Sequence, residues 1–154
     1  MTNPVFGFDQ PEDSPGFMLW QTTISWQRLI KRALDTHNIS HAQFVILAIS
    51  LWLENKQTEV SQGAIIRLSK LDKMTVSKAL KKLVTEGYIN RTEHKQDTRA
   101  KTISLTKKGK EMTVKLVPIV EKIDENFFES IKKNEQQFFI GLLKKIVANA
   151  DQVS

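Results

Sequence analysis

The sequence predicts a mainly α-helical fold with one small β-hairpin, and three observations lead to this fold class. Apolar residues recur at helical spacing along most of the 154 residues, whereas only residues 88–93 and 101–105 have a strand-like pattern. Three of the four prolines lie before residue 17, so the remaining chain has few helix breakers. The length suits one domain with a substantial core.

The N-terminal third is predicted to hold an arm and two helices. Residues 1–16 carry three prolines and two glycines, which predicts an irregular arm. Residues 17–36 lack both residue types and have apolar residues at helical spacing, which predicts a first helix. Ser40 and Gln43 fit a capping box, in which two side chains satisfy free backbone amides at a helix start. The apolar segment 44–53 is therefore predicted to form a second helix, buried on most sides.

Two shorter helices and a hairpin are predicted next. Ser61 can cap a third helix, and Asp72 can accept hydrogen bonds from the free amides of a fourth. Gly87 suits the left-handed position that ends this fourth helix. Residues 88–93 and 101–105 then form the strands, and the polar segment between them is the hairpin tip.

Two long helices are predicted to complete the chain. Thr106 caps the first, and Pro118 is expected to kink it because proline lacks a backbone N–H. Asn134 and Gln137 fit a capping box for the second. Apolar residues form a stripe along each helix: Val114, Val117, Ile119, Val120, Ile123, Phe127 and Ile131, then Phe138, Leu142, Leu143 and Ile146. Because one small domain could not bury such stripes at both chain ends, we expect a homodimer.

The positive charge is concentrated in one segment. Residues 61–110 hold thirteen Lys and Arg against four Asp and Glu, a net charge of +9. The whole chain carries +6, so the remainder carries −3. This asymmetry indicates a polyanionic partner for the middle of the chain.

Several functional classes are excluded by composition. The absence of cysteine removes disulfides, thiolate nucleophiles and cysteine-ligated zinc. No apolar run approaches the roughly 20 residues of a membrane span, and no signal peptide is recognisable, so we expect a cytoplasmic protein without a membrane partner. His37, His41 and His94 match no triad or metal spacing, and we expect neither an enzyme nor a metal or cofactor. His37 and His41 could share a helix junction, where solvent-facing or hydrogen-bonded histidines are commoner than a metal site.

The predicted fourth helix has two different faces. One face is apolar and suits the core: Val76, Ala79, Leu80, Leu83 and Val84. Lys73 lies at its start, Met74, Lys78, Lys81 and Lys82 lie on the opposite face, and Thr75 and Ser77 lie on its flanks. The first turns therefore present groups that can reach base edges in a major groove, while Lys82 suits a phosphate. Taken alone, an ordinary amphipathic helix with solvated lysines explains this pattern equally well.

The hairpin favours nucleic acid. Its tip carries Lys95, Asp97 and Arg99 about one helix diameter from the polar face of the fourth helix. An arginine on a thin loop suits a narrow minor groove, where the negative potential is enhanced. Asp97 and Arg99 could instead form a local ion pair, and both roles can hold together. Short helix, turn, second helix and hairpin are the plan of a winged helix-turn-helix.

The chain resembles the MarR family of bacterial transcription regulators. The resemblance lies in Leu71-Asp72-Lys73-Met74-Thr75-Val76-Ser77-Lys78, Leu83, Gly87-Tyr88-Ile89, Asp97-Thr98-Arg99 and Leu105-Thr106-Lys107-Lys108-Gly109, and it covers nearly the whole chain except the arm. It implies a homodimer with paired winged domains on a pseudo-palindromic operator, usually as a repressor, whose DNA affinity responds to a ligand. By position, Thr75, Ser77 and Lys78 match residues facing the major groove, and Arg99 matches the wing arginine. Lysine at 78 departs from the common arginine and cannot make its bidentate contact with guanine.

These observations predict a sequence-specific DNA-binding transcriptional regulator, a ligand-responsive repressor acting as a homodimer. The alternatives are a winged-helix protein–protein interaction module and a non-specific DNA-binding protein. Trp20, Trp26, Phe44 and Trp52 are candidates for the effector site, although aromatic residues at helical spacing more often belong to the core. The predicted organisation is an arm at 1–16 and one domain at 17–154, with the winged helix-turn-helix at 40–105 between dimerisation helices at 17–38 and 106–149.

Overall fold

The computed structural model describes residues 5–93 and 101–153, with the backbone alone at 93 and 101. After a short 3-10 helix at Pro11–Asp13, its six α-helices and three strands are α1 (Pro15–Asp35), α2 (His41–Asn55), β1 (Val60–Ser61), α3 (Gln62–Ser69), α4 (Lys73–Thr85), β2 (Ile89–Glu93), β3 (Lys101–Leu105), α5 (Lys107–Phe127) and α6 (Lys133–Val153). The predicted fold class, mainly helical with a small β element, is confirmed. Within the described ranges, no helix is long and apolar enough to cross a membrane.

The chain divides into two compact units, Met1–Val120 and Glu121–Ser154. The first unit contains α1 to α4, the sheet and most of α5, and the second contains the end of α5 and all of α6. Helix α5 continues through Pro118 to Phe127. The division of the chain into an arm, a winged region and dimerisation helices stays a prediction.

The helix starts in the first half of the chain follow local capping rules. Helix α1 begins at Pro15, two residues before the predicted start, because the Ser14 hydroxyl accepts a hydrogen bond from the Phe17 amide at 3.2 Å. The capping box of α2 is confirmed: the Ser40 hydroxyl accepts from the Gln43 amide at 3.1 Å, and the Gln43 side chain accepts from the Ser40 amide at 2.8 Å. The chain therefore enters both helices with their first amides satisfied.

Helix α2 is central to the core of the first unit. It packs against α1, α3, α4, β1 and β3, and none of its residues from His41 to Leu51 is fully exposed. The side chains that fill this core come from α1 to α5 and β3: Ile30, Leu34, Ile46, Leu47, Ile65, Val76, Leu80, Leu83, Ile103 and Leu116. The apolar face predicted for α4 is thus confirmed as its buried face, with Val84 half-buried at the margin.

The strands form a three-stranded antiparallel sheet in the order β1-β3-β2. Ile89 lies opposite Leu105, and Val60 lies opposite Ile103. Both predicted strands are confirmed, and β1 is an addition to the prediction. A two-residue strand has no periodicity to detect, so it emerges only from its pairing with β3.

The start of α6 differs from the prediction. The helix begins at Lys133, so Asn134 lies inside its first turn, and the predicted capping box of Asn134 and Gln137 is wrong. The Glu135 carboxylate instead accepts a hydrogen bond from the Lys132 amide at 2.8 Å. A carboxylate in the first turn also interacts favourably with the helix dipole, which the neutral Gln137 amide cannot do.

Candidate nucleic-acid interface

The start of α4 is held by Asp72. One carboxylate oxygen accepts a hydrogen bond from the Thr75 amide at 2.8 Å, and the other accepts from the Thr75 hydroxyl at 2.7 Å. The Thr75 hydroxyl first, and then its amide, hold the pKa of the Asp72 carboxyl below its ordinary value. Lys70 precedes this cap in the left-handed region at φ 61°, which ends α3 and turns the chain into α4.

The face of α4 opposite the core carries the predicted contact residues. Five of them are exposed: Lys73, Met74, Ser77, Lys78 and Lys82. Thr75 is half-buried, and its hydroxyl hydrogen is committed to Asp72. The hydroxyl therefore retains acceptor capacity but is no free donor to a base edge. Of the two predicted hydroxyl contacts on this face, Ser77 is therefore the one that can donate a hydrogen bond to a base.

The predicted tip residues Lys95, Asp97 and Arg99 lie outside the described residues. The base of the hairpin that leads to them, formed by β2 and β3 and here called the wing, is fastened to the end of α2. The Glu54 carboxylate accepts a hydrogen bond from the Leu105 amide at 2.9 Å and lies 3.9 Å from the Lys110 ammonium. No local sequence signal could have found this contact, because Glu54 and Leu105 are 51 residues apart.

The wing is held at a second point along β3. The Thr102 hydroxyl donates to the Glu59 carboxylate at 3.0 Å, next to the pairing of β1 with β3. Two glutamates, one at the end of α2 and one just before β1, therefore bind opposite ends of one strand. Among the described residues, β3 is the central strand of the sheet, and β2 pairs with it at the edge.

The C-terminal end of α4 is joined to the start of α5. Gly87 ends α4 in the left-handed region at φ 81°, as predicted. The Thr106 hydroxyl donates to the Gly87 carbonyl at 2.7 Å and accepts from the Gly109 amide at 2.9 Å, which confirms Thr106 as the cap of α5. The Lys108 ammonium donates to the Glu86 carbonyl at 2.8 Å and lies 4.5 Å from the centre of the Tyr88 ring. The two ends of α4 are therefore both fixed by side-chain contacts.

The four predicted effector residues lie in different surroundings. Phe44 is buried in the core, and Trp20 is exposed on α1. The half-buried Trp26 packs its ring edge against His41, with 5.2 Å between the ring centres. Trp52 is exposed and lines an open depression of about 520 Å³ with residues of α2, α3 and α5. Phe44 thus lies in the core, and the effector role of these four residues stays a prediction.

Two open grooves adjoin α4 instead. The larger, of about 870 Å³, lies between α1, the start of α2 and Lys82, and its lining includes Ile24, Arg28, Lys31, Ile39 and His41. Lys31 is already paired with Asp35 at 2.7 Å. The second groove, of about 650 Å³, lies between α2 and α4. Sequence reasoning missed both grooves because each is assembled from more than one element. Within the described ranges, no group of three or more acidic or histidine side chains could hold a metal ion.

Comparisons with known proteins agree with this geometry. Residues 35–123 match the family model described as the ArnR1-like, winged-helix domain. The HTH-type transcriptional regulator YdcH of Bacillus subtilis is 39% identical over 135 residues, which cover 88% of this chain and 91% of that protein. Both matches span the helix-turn-helix and the wing.

Solved structures of similar fold include DNA-bound and ligand-regulated proteins. The crystal structure of a mutant MarR from E. coli in complex with operator DNA superposes with a TM-score of 0.74 at 20% identity, covering 85% of this chain and 91% of that chain. BpsR of Bordetella bronchiseptica, whose DNA binding is regulated by 6-hydroxynicotinic acid, superposes with a TM-score of 0.81 at 20% identity, covering 92% and 98%. These are regulators and not enzymes. The chain therefore belongs to the ArnR1-like winged-helix family, which matches residues 35–123, is a DNA-binding transcriptional regulator, and has the fold of the MarR proteins.

Proposed function

We propose that this chain represses transcription as a homodimer on a pseudo-palindromic operator until a small ligand weakens its binding. The observation that carries the proposal is the exposed polar and basic face of α4, opposite a fully packed apolar face. A helix that is anchored on one side and free on the other can enter a major groove without loss of core contacts. Because such a regulator must reach chromosomal DNA, we place this chain in the bacterial cytoplasm.

The proposed roles of the residues follow from their chemistry and position. Ser77 and Lys78 lie on the exposed first two turns of α4 and can reach base edges. Lys73 and Lys82 are exposed cations that suit phosphates. At the hairpin tip, we assign Lys95 and Arg99 to the minor groove and its phosphates, with Asp97 orienting Arg99.

Homodimerisation is supported by the apolar surface of α6. This helix has no buried residue in the single chain, yet several of its apolar side chains are exposed: Phe138, Ile140, Leu142, Ile146 and Val147. Several exposed apolar side chains along one helix mark an interaction surface. A second copy of the chain would cover it in the manner of paired dimerisation helices.

Operator binding is tested by separating sequence preference from salt dependence. Immunoprecipitation of the protein with its bound DNA across the genome supplies the operator, and Kd is then measured against operator and random duplexes at several salt concentrations. Ser77→Ala should narrow the difference between the two duplexes and leave the salt slope unchanged, because a neutral hydroxyl releases no counterions. Lys82→Ala should weaken binding to both duplexes and lower the slope by about one for each half-site.

Lys122→Ala is the matched control. It removes the same charge from an exposed lysine of the second unit, paired with Glu125 at 3.3 Å, and should leave the slope unchanged. Equal affinity of the wild-type protein for operator and random duplexes would contradict the proposal and favour non-specific DNA binding. Failure to bind either duplex would favour the protein-interaction module.

The ligand response is supported by the larger groove beside α4. Its lining holds three cations, Arg28, Lys31 and Lys82, one carboxylate, Asp35, and the apolar side chains of Ile24 and Ile39. This net positive charge beside apolar surface suits a small organic anion with an apolar body. Lys82 also belongs to α4, so a ligand bound to it would compete with a phosphate for the same ammonium group.

The groove is tested with an aromatic carboxylate as the probe. Since 6-hydroxynicotinic acid regulates DNA binding by BpsR, we expect it to weaken operator binding by this chain. Arg28→Ala should abolish this ligand effect and leave operator affinity without ligand unchanged. Arg32→Ala removes an exposed arginine of the same helix that does not line the groove and should retain the ligand effect. Equal ligand sensitivity of the two variants, measured by fluorescence anisotropy, would contradict the assignment.

A further inference from the structure

Met74 has an unusual position for an apolar residue. It leaves 81% of its surface exposed, whereas the other apolar side chains of α4 are buried or half-buried. Its unbranched side chain makes no contribution to the core and ends in a polarisable thioether and a methyl group. Because single exposed apolar residues are common on protein surfaces, the exposure alone assigns no role to Met74.

The residues next to Met74 on α4 indicate a role for its exposed side chain. Residues three and four positions apart share one side of a helix, so Ser77 and Lys78 lie next to Met74 on α4. The adjacent Thr75 hydroxyl donates its hydrogen to Asp72 at 2.7 Å and is not free to donate to a base. The first turn of α4 therefore offers DNA an apolar surface at Met74, with hydrogen-bonding groups one turn further along.

Only one of the four base edges in the major groove matches this apolar surface. Adenine, guanine and cytosine present donors and acceptors there, whereas thymine also presents its C5 methyl group. Met74 carries no charge that would direct it to a phosphate. We propose that Met74 reads a thymine C5 methyl group in each half-site of the operator, an inference that rests on the proposed operator binding by α4.

The inference is tested by removing single methyl groups from the DNA. Each thymine of the operator is replaced in turn by deoxyuridine, which lacks only the C5 methyl group, and Kd is measured by fluorescence anisotropy. At one particular thymine, the substitution in one half-site should weaken binding by the wild-type protein about fourfold, which corresponds to the burial of one methyl group. The same substitution in both half-sites should weaken binding about 15-fold. Met74→Ala should bind the thymine and uracil duplexes with equal affinity.

Two further variants separate the contact from a change of fold. Met74→Leu retains an apolar side chain and should retain part of the discrimination between thymine and uracil. Leu68→Ala shortens another exposed apolar side chain, on α3, and should discriminate as the wild-type protein does. An unchanged thermal unfolding midpoint in Met74→Ala is expected, since the side chain is largely exposed.

Three outcomes decide the matter. Loss of thymine discrimination in Met74→Ala alone supports the inference. Specific operator binding without any methyl-sensitive thymine, or equal sensitivity of Met74→Ala and the wild-type protein, overturns the inference and leaves the proposed operator binding intact. Equal binding of wild-type protein to operator and random duplexes overturns the proposed function and this inference with it.

Discussion

Replacement of Gly109 by alanine is expected to lower the free energy of unfolding by about 3 kcal/mol, the upper range for forcing an extra carbon into a packed site. A Cβ atom at this position would overlap the Tyr88 carbonyl oxygen and lie 3.0 Å from the Tyr88 carbonyl carbon. Both atoms belong to the backbone, so no side-chain rotation relieves the overlap. The start of α5 or the end of α4 would have to move.

Hydrogen bonds oppose that movement on both sides. The Tyr88 amide donates to the Leu83 carbonyl at 2.9 Å, and the Tyr88 carbonyl accepts from the Thr106 amide at 3.0 Å. Urea unfolding followed by circular dichroism measures the loss. Gly63→Ala is the control, because its Cβ would meet nothing closer than 4.0 Å and its unfolding midpoint should not fall. A Gly109→Ala protein as stable as the wild type would contradict the described packing between α4 and α5.

The substitution Ile146→Asp is expected to produce a folded monomer that binds operator about 100-fold more weakly or worse, because a monomer engages one half-site at a time and loses the effective concentration that links the two. Ile146 is 59% exposed in the single chain, and α6 has no buried residue, so the charge should not unfold the chain. In a dimer the same carboxylate would lie in an apolar interface, where an unpaired charge is costly.

Size-exclusion chromatography with light scattering and a binding titration on the operator measure the two effects. Gln137→Asp introduces the same carboxylate into α6 at an exposed position that a helical projection places away from the apolar stripe, and it should remain a dimer with unchanged affinity. Wild-type protein that is monomeric at micromolar concentration would refute the dimer. An Ile146→Asp monomer with full operator affinity would refute the need for dimerisation.

The parts of the fold that follow local rules could be predicted from the sequence. The capping residues Ser40, Ser61 and Asp72 act within three residues of their partners, and the two faces of α4 follow from helical spacing. The predicted start of α6 is wrong because two possible acceptors lie within one turn, Glu135 and Gln137, and both fit a capping pattern. The choice between two such capping residues depends on their charge and geometry, which the spacing of residues in the sequence does not show.

The candidate site also has features that could be predicted from the sequence and features that could not. The exposed residues of α4 were predictable because one short helix carries them all. The grooves beside α4 and the contact of Glu54 with Leu105 were not, since each joins residues far apart in the chain. Phe44 lies in the core, as aromatic residues at helical spacing commonly do, and the effector role of the four aromatic candidates stays a prediction.

The hydrogen bond from the Leu105 amide to Glu54 fixes one end of β3. From this point the five residues of β3 extend about 13 Å towards the hairpin tip. A rotation of the strand by only about 5° about the Leu105 amide would displace its far end by about 1 Å, twice the tolerance of about 0.5 Å for a well-positioned contact. The hydrogen bond from Thr102 to Glu59 at the other end of β3 opposes such a rotation, so the two glutamates together fix the direction of the wing.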